Sequence, residues 1–563
     1  MQILDWVIVL ALNGAIVLWG LQIGRGTKST ADWFLAAKNL PWWIVGFSLF
    51  ATAIDSGDYV AIMGGAYHLG ISNVTMWWIG LPLGWFLVSY VVIVPIYRNG
   101  LYTNAEYLEY RFGPTARIMS AFIQLQQRTN VLGNVAFSLY LVFSTLTNWS
   151  DTATWFFVGG IALAAAVYTA VGGLRSVAIT DSAQSVLMII ATLILFVVVW
   201  TEIGGWQGLE GRLSEKDPAL VGTLMHVGGR NSEGVPAVLL LFGFIVSLSA
   251  YCVINQSQIM RMLAARSEWD LRTAALLASA VAVLVMGCNI FLGVLGHGLF
   301  PNLEHADRLY PLMLSKYLGV GLLGLVVSGL LAGAISTYDS VSSAVAAVLT
   351  RDVYARFIVK RGDDSHYLRV SRILTVLVIV VSFGYIPFLG QGMVMFYFRL
   401  ATVAVIPLFT VYLMGVLTRV HRRSGTVGLI IGIGYGLSAF IGDQWGLPFM
   451  WTNTWWSYLW GILITSGAMV AASLVYGWET KENIAALLYK RSPDDSSSST
   501  LGFDPTPSQA GTEELWLVTS RKKAAHADLQ VDPEHIRVWY RQPALWFILL
   551  LIGVAYVNFV VLW

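Results

Sequence analysis

The sequence predicts an all-α polytopic membrane protein with about 14 transmembrane helices. Of its 563 residues, 56% are hydrophobic and 12% are charged, whereas a soluble globular domain carries about 25% charged residues. So low a charge content excludes a soluble enzyme, a nucleic-acid-binding protein and a disordered scaffold. The apolar runs are about 20 residues long, the length that a helix needs to cross the hydrocarbon core. They are too long and too uniform for the strands of a membrane barrel.

The apolar runs place the spans in order along the chain. The first run is expected to be a retained span, because Asp5 stands where a secretory signal carries basic residues. The predicted spans cover residues 4–24, 41–67, 75–97, 115–147, 152–172, 178–201, 236–260, 271–297, 313–348, 367–388, 391–418, 424–442, 455–477 and 544–562.

Lysine and arginine residues set the predicted orientation, because they accumulate in cytoplasmic loops. If the loop after the first span is cytoplasmic, 27 of the 34 Lys and Arg residues fall on that side, Arg261 among them, and five fall on the other. Both termini are then expected outside the cell membrane. Residues 202–235 form an external loop. Residues 478–543 form a cytoplasmic segment whose Ser/Pro-rich composition predicts flexibility.

Charged residues inside the predicted spans are costly in a bilayer, so each needs a partner or a wet cavity. One reading is a pathway for an ion or a substrate. The other is a set of internal ion pairs that only hold the helices together. The residues concerned are Asp55, Asp58, Arg128, Asp181, Asp339 and Arg399.

Two spans contain polar interruptions, one in the stretch Ser48–Gly65 and one in the stretch Ser247–Arg261. Interrupted helices at corresponding positions of two halves mark the binding site of transporters built from inverted repeats. Spans 2–6 and spans 7–11 would be the two five-helix repeats. The alternative is a pair of kinked helices.

The expected organisation is 1–40, first span and loop; 41–201, first repeat; 202–235, external loop; 236–418, second repeat; 419–477, spans 12 and 13; 478–543, cytoplasmic loop; and 544–563, last span.

The ninth span carries a stripe of hydroxyl groups. Ser336, Asp339 and Ser340 are three and four residues apart, so they share one face of a helix. Oxygen ligands of this kind suit a hard cation such as sodium. A stripe of small residues that packs against another helix is the alternative.

Several segments resemble the signatures of the sodium:solute symporters, the family that includes sodium–glucose, sodium–proline and sialic acid cotransporters. The resemblance extends over nearly the whole chain. The segments are TADWFLAAKNLPWWIVGFSLFAT (Thr30–Thr52), GLYTNAEYLEYRFG (Gly100–Gly113), VGGLRSVAITDSAQ (Val171–Gln184), NQSQIMRMLAARS (Asn255–Ser267), ISTYDSVSSAVAAVLTRDVY (Ile335–Tyr354) and YLMGVLTRVHRRSGTVG (Tyr412–Gly428).

The resemblance implies a LeuT-like five-plus-five inverted repeat with flanking helices and sodium-driven alternating access. Sodium is the implied coupling ion, and no cofactor is implied. The family's main sodium site would fall on Ala51, Ile54, Gly333, Ser336 and Thr337. A second sodium site, present in some members, would use Asp181, Asp339 and Ser340, and Tyr251 aligns with an aromatic inner gate.

The resemblance leaves the solute open. Asp58 stands where the sugar transporters carry an acid or amide, Trp77 stands where they carry an acid, and Ala53 stands where the proline transporters carry Asp. Arg128 lies in the span where sialic acid transporters place a carboxylate-binding arginine, and Arg399 lies in a span that borders the cavity. A planar guanidinium suits a bidentate grip on a carboxylate. We therefore expect a carboxylate-bearing solute. Its candidate contacts are Asp55, Asp58, Trp77, Arg128, Tyr251 and Arg399.

Three alternatives stay open at this point. One is a carrier of the same fold that uses protons, with Asp181 or Asp339 as the proton site, and another is a carrier with no coupling ion. A transporter-like sensor is disfavoured, because residues 478–543 are too few and too polar for a kinase domain. The expected partners are a small solute, Na⁺ and the lipid bilayer, with no nucleic acid and no obligatory protein partner.

Overall fold

The computed structural model describes residues 1–24, 33, 36–228, 234–390, 392–484, 487–488 and 538–563. Within these ranges the chain folds into helices and forms no β-strand. The predicted flexible segment 478–543 lies for the most part outside the described residues, as does much of the predicted loop after the first span.

The helices are numbered in chain order, and single turns are left out. They are α1 Ile3–Gly24, α2 Trp42–Ala53, α3 Ser56–Leu69, α4 Met76–Arg98, α5 Asn104–Phe112, α6 Pro114–Leu146, α7 Asp151–Ala170, α8 Gly172–Ile203, α9 Gly205–Lys216, α10 Ala219–Leu224, α11 Ala237–Ile254, α12 Gln256–Leu263, α13 Glu268–Leu299, α14 Leu309–Tyr317, α15 Leu322–Ile358, α16 Asp364–Leu389, α17 Met393–Leu417, α18 Ser424–Ile441, α19 Thr454–Tyr476 and α20 Pro543–Val561.

Thirteen helices in the described part of the chain are long and apolar enough to cross a membrane. The broken pair α2 and α3 together adds a further span, which gives the fourteen that the sequence predicts. The predicted external loop 202–235 contains the short helices α9 and α10.

Both predicted interruptions are present as breaks in helices. Helix α2 ends at Ala53 because Ile54 and Asp55 have extended backbone angles, and α3 begins at Ser56. Asn255 is likewise extended between α11 and α12. At each break a polar side chain accepts a hydrogen bond from a freed backbone N–H, which a helix start inside a membrane requires.

The first helix is tied into the bundle through Asp5. This residue is buried, and its Oδ1 accepts hydrogen bonds from the N–H groups of Gly321 and Gly324 at 2.8 and 3.0 Å, at the start of α15. The carboxylate therefore supplies the acceptor that the N-terminus of α15 needs.

Both ends of the chain contact segments predicted to lie outside. The terminal amino group of Met1 donates to the carbonyl of Leu146, and the carbonyl of Leu562 accepts from the N–H of Val227. The termini thus lie at the ends of helices assigned to that same predicted side. The orientation of this side relative to the cell stays a prediction.

Close backbone approach joins α15 to α8. A Cβ added at Gly329 would lie 2.4 Å from Cβ of Ala191 and 3.0 Å from the carbonyl oxygen of Leu187. Small residues at such positions allow membrane helices to pack closely. This contact matters for the site, because α8 and α15 carry several of its polar residues.

We predict that Gly329→Ala lowers the thermal unfolding midpoint of the purified protein. The added methyl group overpacks the contact, at a cost of about 1–3 kcal/mol. Gly467→Ala is the matched control, because a Cβ there meets no described atom within 4 Å. Equal midpoints for the two variants in differential scanning fluorimetry would contradict the close packing of α8 and α15.

Candidate functional site

Helix α6 runs the length of the candidate site, from the predicted cytoplasmic side to the outer cavity. Arg117 lies near the end that is predicted to be cytoplasmic, Val131 and Asn134 line a central cavity, and Phe137 and Tyr140 line a second, outer cavity. At 1.5 Å of rise per residue, the 17 positions from Arg117 to Asn134 span roughly 26 Å. The central cavity therefore lies deep within the span.

The central cavity is small, with a volume of about 60 Å³, well below the roughly 300–1,000 Å³ of small-molecule sites. Its wall is largely apolar and aromatic, with a few polar groups at the first helix break. Four of the six predicted solute contacts line it. The lining residues that bear on the solute are Asp55, Asp58, Trp77, Asn134, Tyr251, Tyr397 and Phe398.

Asp55 and Asp58 form a capping box at the start of α3. Asp55 Oδ1 accepts a hydrogen bond from the N–H of Asp58, and Asp58 Oδ2 accepts one from the N–H of Asp55, each at 3.1 Å. This reciprocal arrangement satisfies two backbone donors at the helix start. The acids that the sequence places in the membrane thus have a structural role at the break, and they also face the cavity.

The residues of the main predicted sodium site are brought together at this break. Ser336 Oγ lies 3.0 Å from the carbonyl oxygen of Ala51. A Cβ at Gly333 would lie 3.6 Å from Cα of Asp55, so α15 passes close to the broken backbone. Thr337 is buried beside the Asp55 carboxyl group. Hydroxyl and carbonyl oxygens from two elements therefore converge where a hard cation would be expected.

The second predicted sodium site contains an arginine that the sequence predicts in a cytoplasmic loop. Arg261 was expected in the cytoplasmic loop, but it is fully buried, and its guanidinium group lies 3.1 Å from Asp181 Oδ2. The same group donates to Ser340 Oγ and, at 2.7 Å, to Ser48 Oγ. The expectation was wrong because the second broken helix continues into the bundle. The sequence signal for a buried Arg261 is its position about one helical turn after Ser257, on the polar side of that helix.

Arg261 occupies hydrogen-bonding groups that the predicted second sodium site would use. The guanidinium group of Arg261 lies between Asp181 and Ser340, where it balances the negative charge of Asp181. Asp339 faces another helix, where its Oδ1 accepts a hydrogen bond of 2.5 Å from Thr169. The three residues of the predicted second site are thus close in space, but Asp181 and Ser340 are engaged by an internal cation.

The two intramembrane arginines differ in environment. Arg128 is buried and does not line the cavity; its guanidinium carbon lies 4.7 Å from the ring centroid of Tyr251, which does. None of its three guanidinium nitrogens has a hydrogen-bond partner among the described residues. Arg399 instead points toward α18, where it donates to the carbonyl of Phe440 at 2.8 Å. The structure therefore places Arg128 beneath the cavity and Arg399 away from it.

Below Tyr251 the path toward the predicted cytoplasmic side is closed by polar contacts. Gln124 donates to Asn104 at 2.9 Å, and the N–H of Asn104 donates to Gln256 at 3.0 Å. Further down, Arg117 donates to Asp352 at 2.7 Å. These buried bonds join α5, α6, α12 and α15.

On the other side, Val394 at the start of α17 lines both the central and the outer cavity. A Cβ at Gly65 would lie 3.2 Å from its Cγ1, so α3 lets this side chain approach. The start of α17 is held by Asp307, whose Oδ2 accepts from the N–H of Met393 at 3.1 Å. Burial raises the pKa of Asp307 to about 6, while the Met393 N–H and His305 oppose that shift.

A profile of the sodium:solute symporter family matches residues 33–432. The chain belongs to this family. Membership confirms the resemblance seen in the sequence, and it supports sodium-coupled symport rather than catalysis.

Known relatives share this assignment at low identity. A sodium/glucose cotransporter of Vibrio parahaemolyticus is 26% identical over 457 residues, which cover 77% of this family member and 83% of the relative. A sodium/myo-inositol cotransporter 2 of Bos taurus is 26% identical over 469 residues, which cover 76% and 68%. The solved structure of a Na⁺-coupled sialic acid symporter in an outward-open state matches with a TM-score of 0.72 at 17% identity, covering 85% of this chain and 99% of that one. The LeuT-like fold is thereby confirmed.

We predict that Arg261→Gln strongly destabilises the protein, because it leaves the buried charge of Asp181 unpaired at a cost of about 3–5 kcal/mol. The double variant Asp181→Asn/Arg261→Gln removes both charges and should recover part of the loss. Thermal unfolding in detergent measures both effects. A double variant less stable than Arg261→Gln would contradict the pairing.

Proposed function

We propose that this protein imports a small, carboxylate-bearing organic solute across the cell membrane together with sodium. The observation that supports this most directly is the meeting of the first helix break with the hydroxyl stripe of α15. There the carbonyl of Ala51 lies 3.0 Å from Ser336 Oγ, beside the central cavity, which has to widen from about 60 Å³ to admit a solute.

The arrangement around Ser336 favours a bound cation. Its hydroxyl lies close to two acceptors, the carbonyl of Ala51 and, at 2.6 Å, Asp181 Oδ1. A hydroxyl has one proton, so it cannot donate fully to both. A sodium ion among Ala51, Ile54, Gly333, Ser336 and Thr337 would satisfy the oxygen that is left.

One sodium ion per cycle is the stoichiometry that the contacts favour. A second ion between Asp181 and Ser340 would have to displace the guanidinium of Arg261 from its hydrogen bonds with both. That exchange would leave two cations close together in a buried site, where like charges repel strongly.

The solute is proposed to contact acids on one side of the cavity and an arginine beneath it. Asp58 and Asp55 can accept hydrogen bonds from hydroxyl or amine groups. Among the described residues, Arg128 is buried with no hydrogen-bond partner for its nitrogens, a costly state that a carboxylate would relieve. Because Tyr251 lies over the guanidinium, its ring must shift for a carboxylate to reach Arg128.

Alternating access follows from differences in affinity between states. Sodium at the helix break would stabilise the state that is open to the outside, and movement of Tyr251 and the polar layers below it would open the inner side. A ligand shifts such an equilibrium only by its differential affinity for the two states. The membrane potential adds about 2.3 kcal/mol per charge per 100 mV.

We predict that Ser336→Ala and Thr337→Ala each weaken sodium binding about tenfold or more, because each removes one oxygen ligand. The readout is the thermal shift produced by NaCl, with KCl at equal ionic strength as reference. Ser342→Ala is the matched control on the same helix, since Ser342 bonds to the carbonyl of Tyr338. A stabilisation that follows pH and not sodium would favour the proton-coupled alternative.

A thermal-shift screen of carboxylates, amino acids, sugars and vitamins, each with NaCl or with KCl, identifies the solute. We predict that Arg128→Gln weakens binding of the best carboxylate from this screen on the order of tenfold to a hundredfold, the value of a charge-assisted bond. Arg399→Gln is the control, because Arg399 lies away from the cavity. Unchanged affinity in Arg128→Gln would rule out the carboxylate contact.

A further inference from the structure

The capping box of the first break redirects two particular backbone donors. In a continuous α-helix, the N–H of residue i bonds to the carbonyl of residue i−4. The N–H of Asp55 would therefore serve Ala51, and the N–H of Asp58 would serve Ile54. Both donors are instead bound by the two carboxylates, each at 3.1 Å.

The carbonyls that lose these donors are those of Ala51 and Ile54, two of the three backbone ligands proposed for sodium. The Ala51 carbonyl already faces Ser336 across the break. A polar backbone group without a partner is costly inside a membrane, and a bound cation would supply the missing interaction. The hydrogen bonds of the box therefore determine which carbonyls are available.

Local packing supports the box. A Cβ added at Gly57 would lie 2.9 Å from Asp55 Oδ1 and 3.4 Å from Asn134. The absence of a side chain at Gly57 gives the Asp55 carboxylate room to reach back across the first turn of α3. A bulkier residue there would press on the same oxygen that accepts from Asp58.

We infer that Asp58 and Asp55 are positioning residues for sodium: their reciprocal hydrogen bonds hold the carbonyls of Ala51 and Ile54 open for the ion. This inference rests on the proposed sodium site. It assigns the two acids a role that depends on hydrogen-bond acceptance and not on their charge.

Asp58 extends this role to the solute. It lines the central cavity, and one of its oxygens is committed to the N–H of Asp55. The other oxygen can accept from a solute hydroxyl or ammonium group. A solute bound in this way holds the Asp58 side chain in the conformation that the box needs, so one side chain connects the solute to the sodium ligands.

The test compares alanine with asparagine at each end of the box in the full-length protein. Asparagine keeps a carbonyl oxygen acceptor and loses the charge, whereas alanine loses both. The readout is the sodium concentration that gives half of the NaCl-induced thermal shift, with KCl as reference. We expect Asp58→Ala and Asp55→Ala to raise this concentration about tenfold, and the two asparagine variants to raise it by less than about threefold, since loss of a cap acceptor weakens a helix start measurably.

Each outcome bears on the inference. Equal losses in the alanine and asparagine variants would show that charge matters and the box does not, which overturns it. If the alanine variants do not fold, Gly57→Ala tests the same hydrogen bond with both acids in place and should weaken sodium binding similarly. A wild-type protein with no sodium response would overturn the proposed function as well. A wild-type response that the alanine variants keep undiminished overturns this inference alone.

Discussion

A buried ion pair between Asp181 and Arg261 joins four helices of the bundle, α2, α8, α12 and α15. Asp181 belongs to α8 and Arg261 to the second broken helix, and both reach Ser48 on the first broken helix. Asp181 also accepts from Ser336 on α15. A charge pair at this depth is costly to form and costlier to break one partner at a time. The position of the hydroxyl stripe of α15 relative to the first helix break depends on this junction.

At both helix breaks, backbone groups that lose their partners within the helix need other hydrogen bonds. A helix end inside a membrane leaves donors and acceptors without water to bind. Asp55 and Asn255 each accept a hydrogen bond from an N–H at the start of the helix that follows. Side chains from other helices reach acceptors at the breaks: Asn104 donates to the carbonyl of Ile254, and Ser336 donates to that of Ala51.

Much of this architecture could be predicted from the sequence, because it depends on hydropathy and local spacing. The fourteen spans and both interruptions follow from such patterns, whereas the proximity of Ser336 to the first break is implied by the resemblance to the symporter family. The environment of Arg261 does not, since an arginine after an apolar run is equally typical of a cytoplasmic loop. Arg128 and Arg399 also look alike in sequence. Their difference depends on which face of each helix meets the cavity, and that is set by packing between distant segments.

The cavity is closed unequally on its two sides. Toward the outside, the side chain of Val394 stands between the central cavity and the wider outer one. Toward the inside, Tyr251 is followed by the hydrogen bonds of Gln124 with Asn104 and by the ion pair of Arg117 with Asp352. Opening the cavity toward the predicted outer side moves Val394 at the start of α17, whereas opening it toward the predicted cytoplasmic side separates several buried polar contacts. If a solute enters past Val394 and leaves past these polar contacts, we expect its release to be slower than its capture.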